Sequence, residues 1–158
     1  MGCFQIMISD MVKKDSQKAE SVSRFMDETL TTQIIDCAKQ IPIFDQIGFQ
    51  IESLSLGQCI ARVPHNKAFD GIFGSFHGGM LATVADTIAC FAVMTHTGAQ
   101  EKMATTDFNI RFLAPCLTDV RAVAKTIKVG KLLCPVQVDL YDMNDRHVAV
   151  AQVNYIRL

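Results

Sequence analysis

The sequence lacks an excess of either charge: fifteen Lys and Arg stand against sixteen Asp and Glu in 158 residues, for a net charge of −1. No basic block occurs, which removes the electrostatic footprint of a nucleic-acid or anionic-membrane binder. Paired cysteines are missing too. Cys3, Cys37, Cys59, Cys90, Cys116 and Cys134 are scattered singly, without C-x-x-C or zinc-like spacing, and read as reduced, small buried thiols of a cytoplasmic protein. The histidines His65, His77, His96 and His147 show no ligand spacing, so no metal is expected. There is no uninterrupted run of 18 apolar residues, and the first 15 residues lack the charge-then-apolar order of a secretory signal. No membrane partner is therefore expected. Met1-Gly2-Cys3 invites acylation, but Ile6 stands where the myristoylation pattern takes Ser or Thr. Repeats and low-complexity tracts are absent.

What is present is a chain of ordinary one-domain length, 49% apolar, with enough nonpolar side chains to bury a core. Its expected partners are small molecules and copies of itself. Residues 1–26 are mixed and rich in Lys, Ser and Met, a loosely ordered extension ahead of a single domain over 27–158. "ETLTTQIIDCAKQI" places Leu30, Ile34, Cys37 and Ile41 at helical spacing before Pro42. Alternation through Ile47, Phe49 and Ile51, a break near Gly57, and a second run from Cys59 to Val63 predict a hairpin. "HNKAFDGIFGSFHGG" reads as a loop.

From Met80 to about Thr95 the chain is apolar on nearly every side, a helix of sixteen residues and about 24 Å that must be surrounded by protein. "ATTDFNIRFLAP" then alternates, with Phe108, Ile110 and Phe112 on one face and Thr105, Asp107, Asn109 and Arg111 on the other. Three more strands are predicted at 119–129, 132–142 and 147–157, separated by Gly130-Lys131 and Asn144-Asp145 turns. Such short connections predict an antiparallel meander. The expected class is α+β, a curved antiparallel sheet wrapped around one long central helix.

One residue breaks the pattern. Asp86 is the only charged residue between His77 and Glu101, and lies about two turns inside the helix, too deep to cap its N-terminus. A buried carboxylate without a partner costs several kcal/mol and is expected to titrate high. Either a partner compensates it, with Thr83 one turn earlier and the neighbouring strands as candidates, or it serves as a base. Gly78 and Gly79 open the helix, where backbone N–H groups are unpaired and the dipole is positive, and without side chains they admit a ligand closely. His77 reads either as a ligand-facing base or as a loop-fixing hydrogen-bond partner. Nine positions separate His77 from Asp86, about 13.5 Å of rise and half a turn of rotation. One chain does not bring both to one atom; two chains with antiparallel central helices do.

"GSFHGGMLATVAD" and "TTDFNIRFLAP" resemble motifs of the hotdog-fold acyl-CoA thioesterases, in particular the PaaI-type and thioesterase-superfamily-member-2 branch, and the resemblance extends from about residue 45 to 158. It implies a hotdog fold and a homodimer, often paired into a tetramer, that hydrolyses acyl-CoA without metal or cofactor. By the family's pattern the Gly78 N–H, with Gly79 and Thr83 nearby, polarises the thioester carbonyl, and Asp86 of the other subunit activates water or attacks directly. Thr105 stands where relatives carry a Ser that holds the water. Gly71, with Asp70 beside it, stands where relatives carry an Asn. Lys128 and Lys131 in "IKVGKL" fall at the family's coenzyme A contact. Two other readings remain open: an acyl-CoA binding or sensor protein, favoured by Gly71, and a hydratase or dehydratase with His77 as base, whose proline-rich loop is missing. A serine hydrolase is disfavoured because Ser75 lies in G-S-F-H-G-G. Met80, Met94, Met103 and Phe91 are candidates for an apolar acyl tunnel or for plain core.

Overall fold

The computed structural model describes residues 26–158; the expected N-terminal extension, Cys3 included, lies outside the described residues apart from Met26. Helix α1 (Glu28–Lys39) is capped by Asp27, which accepts from the Thr29 N–H at 3.1 Å. Glu28 in its first turn and Lys39 in its last follow the helix dipole. Ile34 and Ala38 carry its buried face. Ile41, which the spacing assigns to this helix, instead lies beyond it and is 36% exposed. The reason is Pro42, which opens a second helix, α2 (Pro42–Ile47), at a position where the missing N–H would be unpaired anyway. Ile47 is therefore the end of α2 and not the start of the hairpin. Gly48 follows with φ 69°, the left-handed conformation that terminates helices.

The hairpin consists of β1 (Gln50–Ser55) and β2 (Gln58–Val63). After a 3-10 turn at Lys67–Phe69 comes the long helix α3 (Gly78–Thr97), then β3 (Met103–Phe112), β4 (Val120–Thr126), β5 (Leu133–Asp142) and β6 (His147–Arg157). The six strands form one antiparallel sheet in the order β1-β2-β4-β5-β6-β3. Only β4, β5 and β6 are a meander. The hairpin is added beside β4, and β3 lies at the far edge beside β6, so the expected run of four neighbouring strands is corrected. The chain reaches that far edge by way of α3, which separates β2 from β3 in sequence and touches all six strands. A sheet that touches one helix with every strand has to curve around it. The antiparallel sheet wrapped on a central helix is thus the expected α+β class.

Small inward-facing residues allow the close approach: Ala61, Ala122, Ala124, Ala149 and Ala151 on the strands meet Ala85, Ala89 and Ala92 on α3, all essentially buried. Phe91 belongs to this core. Its ring packs with Phe44 and Phe49 at centroid distances of 5.9 and 6.0 Å, which fixes α2 to α3. Met80, Met94 and Met103 are partly buried against the same core. Cys59, Cys116 and Cys134 are buried, Cys37 and Cys90 half-buried, and all five are free thiols.

α3 is long and apolar enough to cross a membrane by length and composition, with a mean hydropathy of 1.5 over its most apolar stretch, although half of that stretch is buried inside the chain's own fold. Its burial is uneven. Gly79 and Thr83 are exposed, and Asp86 and Cys90 are only half-buried. These positions recur every three or four residues and so share one stripe of the helix. The sheet wraps the rest of α3, but this stripe is left open, which corrects the expectation of a helix enclosed on every side.

Candidate functional site

His77 caps α3. Its main chain is extended, at φ −60° and ψ 132°, and its Nδ1 accepts the Gly79 N–H at 2.9 Å. An Nδ1 that accepts carries no proton, so the neutral ring holds its proton on Nε2 and has no free lone pair with which to act as a base. Of the two predicted roles for His77, the structure supports loop fixing. Its own N–H donates to Phe69 O at 2.8 Å, tying the start of the helix to the preceding loop. The bond to Nδ1 removes Gly79 as a free donor. Gly78 differs: no described residue accepts its N–H, and it lies at the first turn of a 20-residue helix, where unpaired N–H groups attract negative charge. The Phe112 ring packs on it so closely that a Cβ at Gly78 would come within 3.0 Å of Cζ. Gly78 and Phe112 line a cleft of about 410 Å³ with Ser75, Leu81 and Pro115.

Asp86 is held from the sheet. Thr105 Oγ1 donates to Asp86 Oδ1 at 2.9 Å. Tyr155 Oη lies 2.7 Å from the Asp86 main-chain oxygen and 3.1 Å from Oδ1. Thr83, the partner expected from helical spacing, donates instead to Gly79 O at 2.9 Å. The partner role predicted for a neighbouring strand is thus filled by Thr105 and Tyr155. Simple alternation puts Thr105 on the face opposite Phe108, but the register of β3 against β6 shifts between Thr105 and Asp107. Thr106 is the extra residue of this bulge, and Thr105 is swung round to stand opposite Tyr155, on the helix side. Asp107 faces away from the helix, where Asn154 Nδ2 donates to it at 2.5 Å. Asp86, Thr83, Thr105 and Phe108 line an open cavity of about 310 Å³. Burial raises the Tyr155 phenol well above the usual tyrosine range, with the Cys90 thiol and the Asp86 charge adding to it. Cys90, one turn beyond Asp86, is pushed up to about 11, chiefly by burial and then by the charge of Asp86.

The helix tip and the carboxylate occupy separate cavities. The chain brings Asp86 together with Thr105, and Gly78 with Gly79 and His77, but does not bring the two groups together. Asp70 lies elsewhere again. Its Oδ1 is 2.7 Å from His65 Nε2, and it pairs with Phe76 across a short bridge. Asp70 therefore braces the loop. Gly71 lies beside His77, and a Cβ there would meet His77 Cδ2 at 3.7 Å, an ordinary contact. Nothing steric requires glycine at that position. Lys128 and Lys131 do share a cleft, of about 420 Å³, but Asp107 and Asn154 line it too, so a carboxylate offsets part of their charge. Among the described residues no three His, Cys, Asp or Glu side chains converge as a metal site would need.

A family model described as a domain of unknown function, DUF4442, matches residues 32–156. The chain belongs to the DUF4442 family. Among relatives of this DUF4442 chain is a Saccharolobus solfataricus protein that carries a provisional esterase name, 29% identical over 121 residues, covering 76% of this chain and 80% of that one. Human acyl-coenzyme A thioesterase 13 is 31% identical over 91 residues, 56% of this chain and 64% of the human protein. The PaaI protein of the Escherichia coli phenylacetic acid degradation operon superposes with a TM-score of 0.78 at 18% identity, over 85% of this chain and 96% of that one. The architecture of this DUF4442 protein is therefore the hotdog fold, and the resemblance seen in "GSFHGGMLATVAD" to PaaI-type thioesterases extends to the whole sheet and helix. Tyr155 is the site residue that the sequence does not announce. It sits in an ordinary strand pattern, and only its pairing with Thr105 marks it.

Proposed function

We propose that the protein hydrolyses an acyl-CoA thioester to the free acid and CoA, at sites shared by two copies of the chain. The observation that carries this reading is the open stripe on α3, where an otherwise buried helix presents a carboxylate clamped from behind. Beside that stripe β3 is a strand of ten residues that, among the described residues, pairs only with β6 and so forms an edge. Long unpaired edges invite a partner strand. A second copy added there covers the stripe and, by two-fold reciprocity, carries the Gly78 end of each α3 toward Asp86 of the other.

The chemistry follows from these groups. Asp86 takes a proton from water, and the oxygen of that water forms a bond to the thioester carbon. The carbonyl π electrons move to oxygen, where the unpaired Gly78 N–H and the positive helix end stabilise the charge. Collapse of the adduct breaks the C–S bond, and the departing thiolate recovers the proton from Asp86. Lys128 and Lys131 are the candidates for the CoA phosphates. Gly71 favours a second reading, acyl-CoA binding without turnover, because the amide that relatives supply there is missing.

A panel of acyl-CoA esters with a free-thiol readout decides between them, run on wild type and Asp86→Asn. Turnover that the substitution reduces to a small residual rate is the expected result. Tight binding of acyl-CoA with no thiol release favours the second reading. Turnover that survives undiminished in Asp86→Asn overturns the mechanism.

A further inference from the structure

Tyr155 takes no part in the chemistry just described, yet it is 5% exposed and its hydroxyl, beside the Cys90 thiol and Thr105, lies within hydrogen-bonding distance of two oxygens of Asp86. A phenol has a single proton. Here two oxygens of Asp86 compete for it, the main-chain carbonyl at 2.7 Å and Oδ1 at 3.1 Å. A donor shared between the backbone and the side chain of the same residue restrains the torsion that links them. Thr105 adds a second donor to the same Oδ1 at 2.9 Å. Oδ2 takes no hydrogen bond from any described residue. Any rotation of the carboxylate short of exchanging its two equivalent oxygens would strain or break both bonds to Oδ1.

We infer that Tyr155 is a positioning residue for the reaction: with Thr105 it locks Asp86 through Oδ1, so that Oδ2 alone is presented to the attacking water. The inference rests on the hydrolytic reading above and deepens it by naming the working oxygen and what aims it. Two further observations support the lock. Tyr155 and Thr105 stand directly opposite each other in the β3–β6 ladder, and they do so only because of the bulge at Thr106, a device that re-aims side chains beside active sites. Burial also keeps the phenol protonated, so it remains a donor whenever Asp86 is ionised.

The test is Tyr155→Phe, which deletes the hydroxyl and keeps the ring. The expected result is a kcat lower by about tenfold or more, the size of effect seen when one hydrogen bond to a charged group is lost, with KM unchanged. In an Asp86→Asn background the same substitution leaves the residual rate where it was, because Tyr155 acts through Asp86. An unchanged kcat, or a further drop in the Asn background, overturns the inference. Crystal structures of wild type and variant give a readout independent of turnover: Asp86 is expected to leave its rotamer or to split between two in the variant, and a carboxylate that stays put overturns the lock. If the wild type releases no thiol from any acyl-CoA, the hydrolytic reading fails, while the crystal structures still decide whether Tyr155 fixes Asp86. Tyr155→Met removes the phenol with a flexible apolar chain and is read in the same two ways if the Phe variant does not fold.

Discussion

Thr105 and Tyr155 face one another across neighbouring strands with both hydroxyls within reach of the same oxygen of Asp86. Among the described residues two donors and no paired cation hold this carboxylate, so it stays available as an acceptor while being fixed in place. If the Thr105 hydroxyl is what matters, Thr105→Ser keeps most of the wild-type kcat and Thr105→Val loses about 10- to 100-fold, the value of one hydrogen bond to a charged group. Steady-state kinetics on the best acyl-CoA ester checks this. Loss in Thr105→Ser with activity kept in Thr105→Val would show that the methyl group, and packing, is what the position needs.

Gly78→Pro is the direct probe of the helix tip. Proline removes the one N–H in question, suits the first turn of a helix, and needs an extended residue before it, which His77 already provides at ψ 132°. Its ring displaces the Phe112 side chain, which is 52% exposed and has room to move. The expected outcome is a thermal midpoint close to wild type with kcat lower by about 100-fold. An active Gly78→Pro protein would remove the N–H from the mechanism.

Mixing Asp86→Asn with Gly78→Pro tests the shared site. If each site takes Gly78 from one copy and Asp86 from the other, a mixed dimer has one intact site and one doubly damaged site. Random exchange of subunits then restores about a quarter of wild-type activity from two inactive preparations. Measurement of thiol release before and after mixing through a denaturation and refolding cycle is sufficient. No recovery, with mixed dimers verified by mass, would place both groups within one chain or remove one of them from the chemistry.

Gly71 has ordinary space around its missing Cβ and is not among the positive-φ glycines. Gly71→Asn is therefore expected to fold normally and to set an amide beside His77 and the helix tip. A rise in kcat of about tenfold or more is expected, since a single oxyanion donor is worth at least that much. An unchanged rate would mean that this loop does not reach the thioester oxygen.

The buried thiols set an alkaline limit on stability. Burial pushes Cys59 up to about 12 and Cys90 up to about 11, from an ordinary 9.0. Their folded values lie above their unfolded ones, so the stabilisation is fully present below the unfolded value of 9.0 and is lost as pH rises toward 11 and 12. Denaturant melts at a series of pH values are expected to fall in midpoint above about pH 9, and Cys59→Ala should shallow the fall. Identical slopes for the two proteins would contradict the assignment.

Much of the scaffold was readable from one sequence. Period-two and helical spacing located the hairpin, α3 and the last three strands, because such patterns record which face of a local element meets the core. Asp86 stood out for the same reason, as a lone charge in an apolar helix. The contacts of Asp86 were not readable. Thr83 was the nearest candidate by helical spacing, and it bonds to Gly79 O instead. Thr105 was placed on the wrong face, because a bulge depends on the register of a partner strand fifty residues away. Pro42 looked like a helix stop and proved also to be a helix start.

By itself the sequence determined which segments are helix or strand, that one helix forms the core, and that its tip and a lone carboxylate within it are the candidate groups; these are local matters of periodicity, capping and side-chain chemistry. Tertiary structure alone decided the strand order, the pairing of Tyr155 with Thr105, and the open stripe on α3. Each of these depends on contacts between residues distant in the chain, or on which face a neighbour leaves uncovered, and no short window of sequence encodes either.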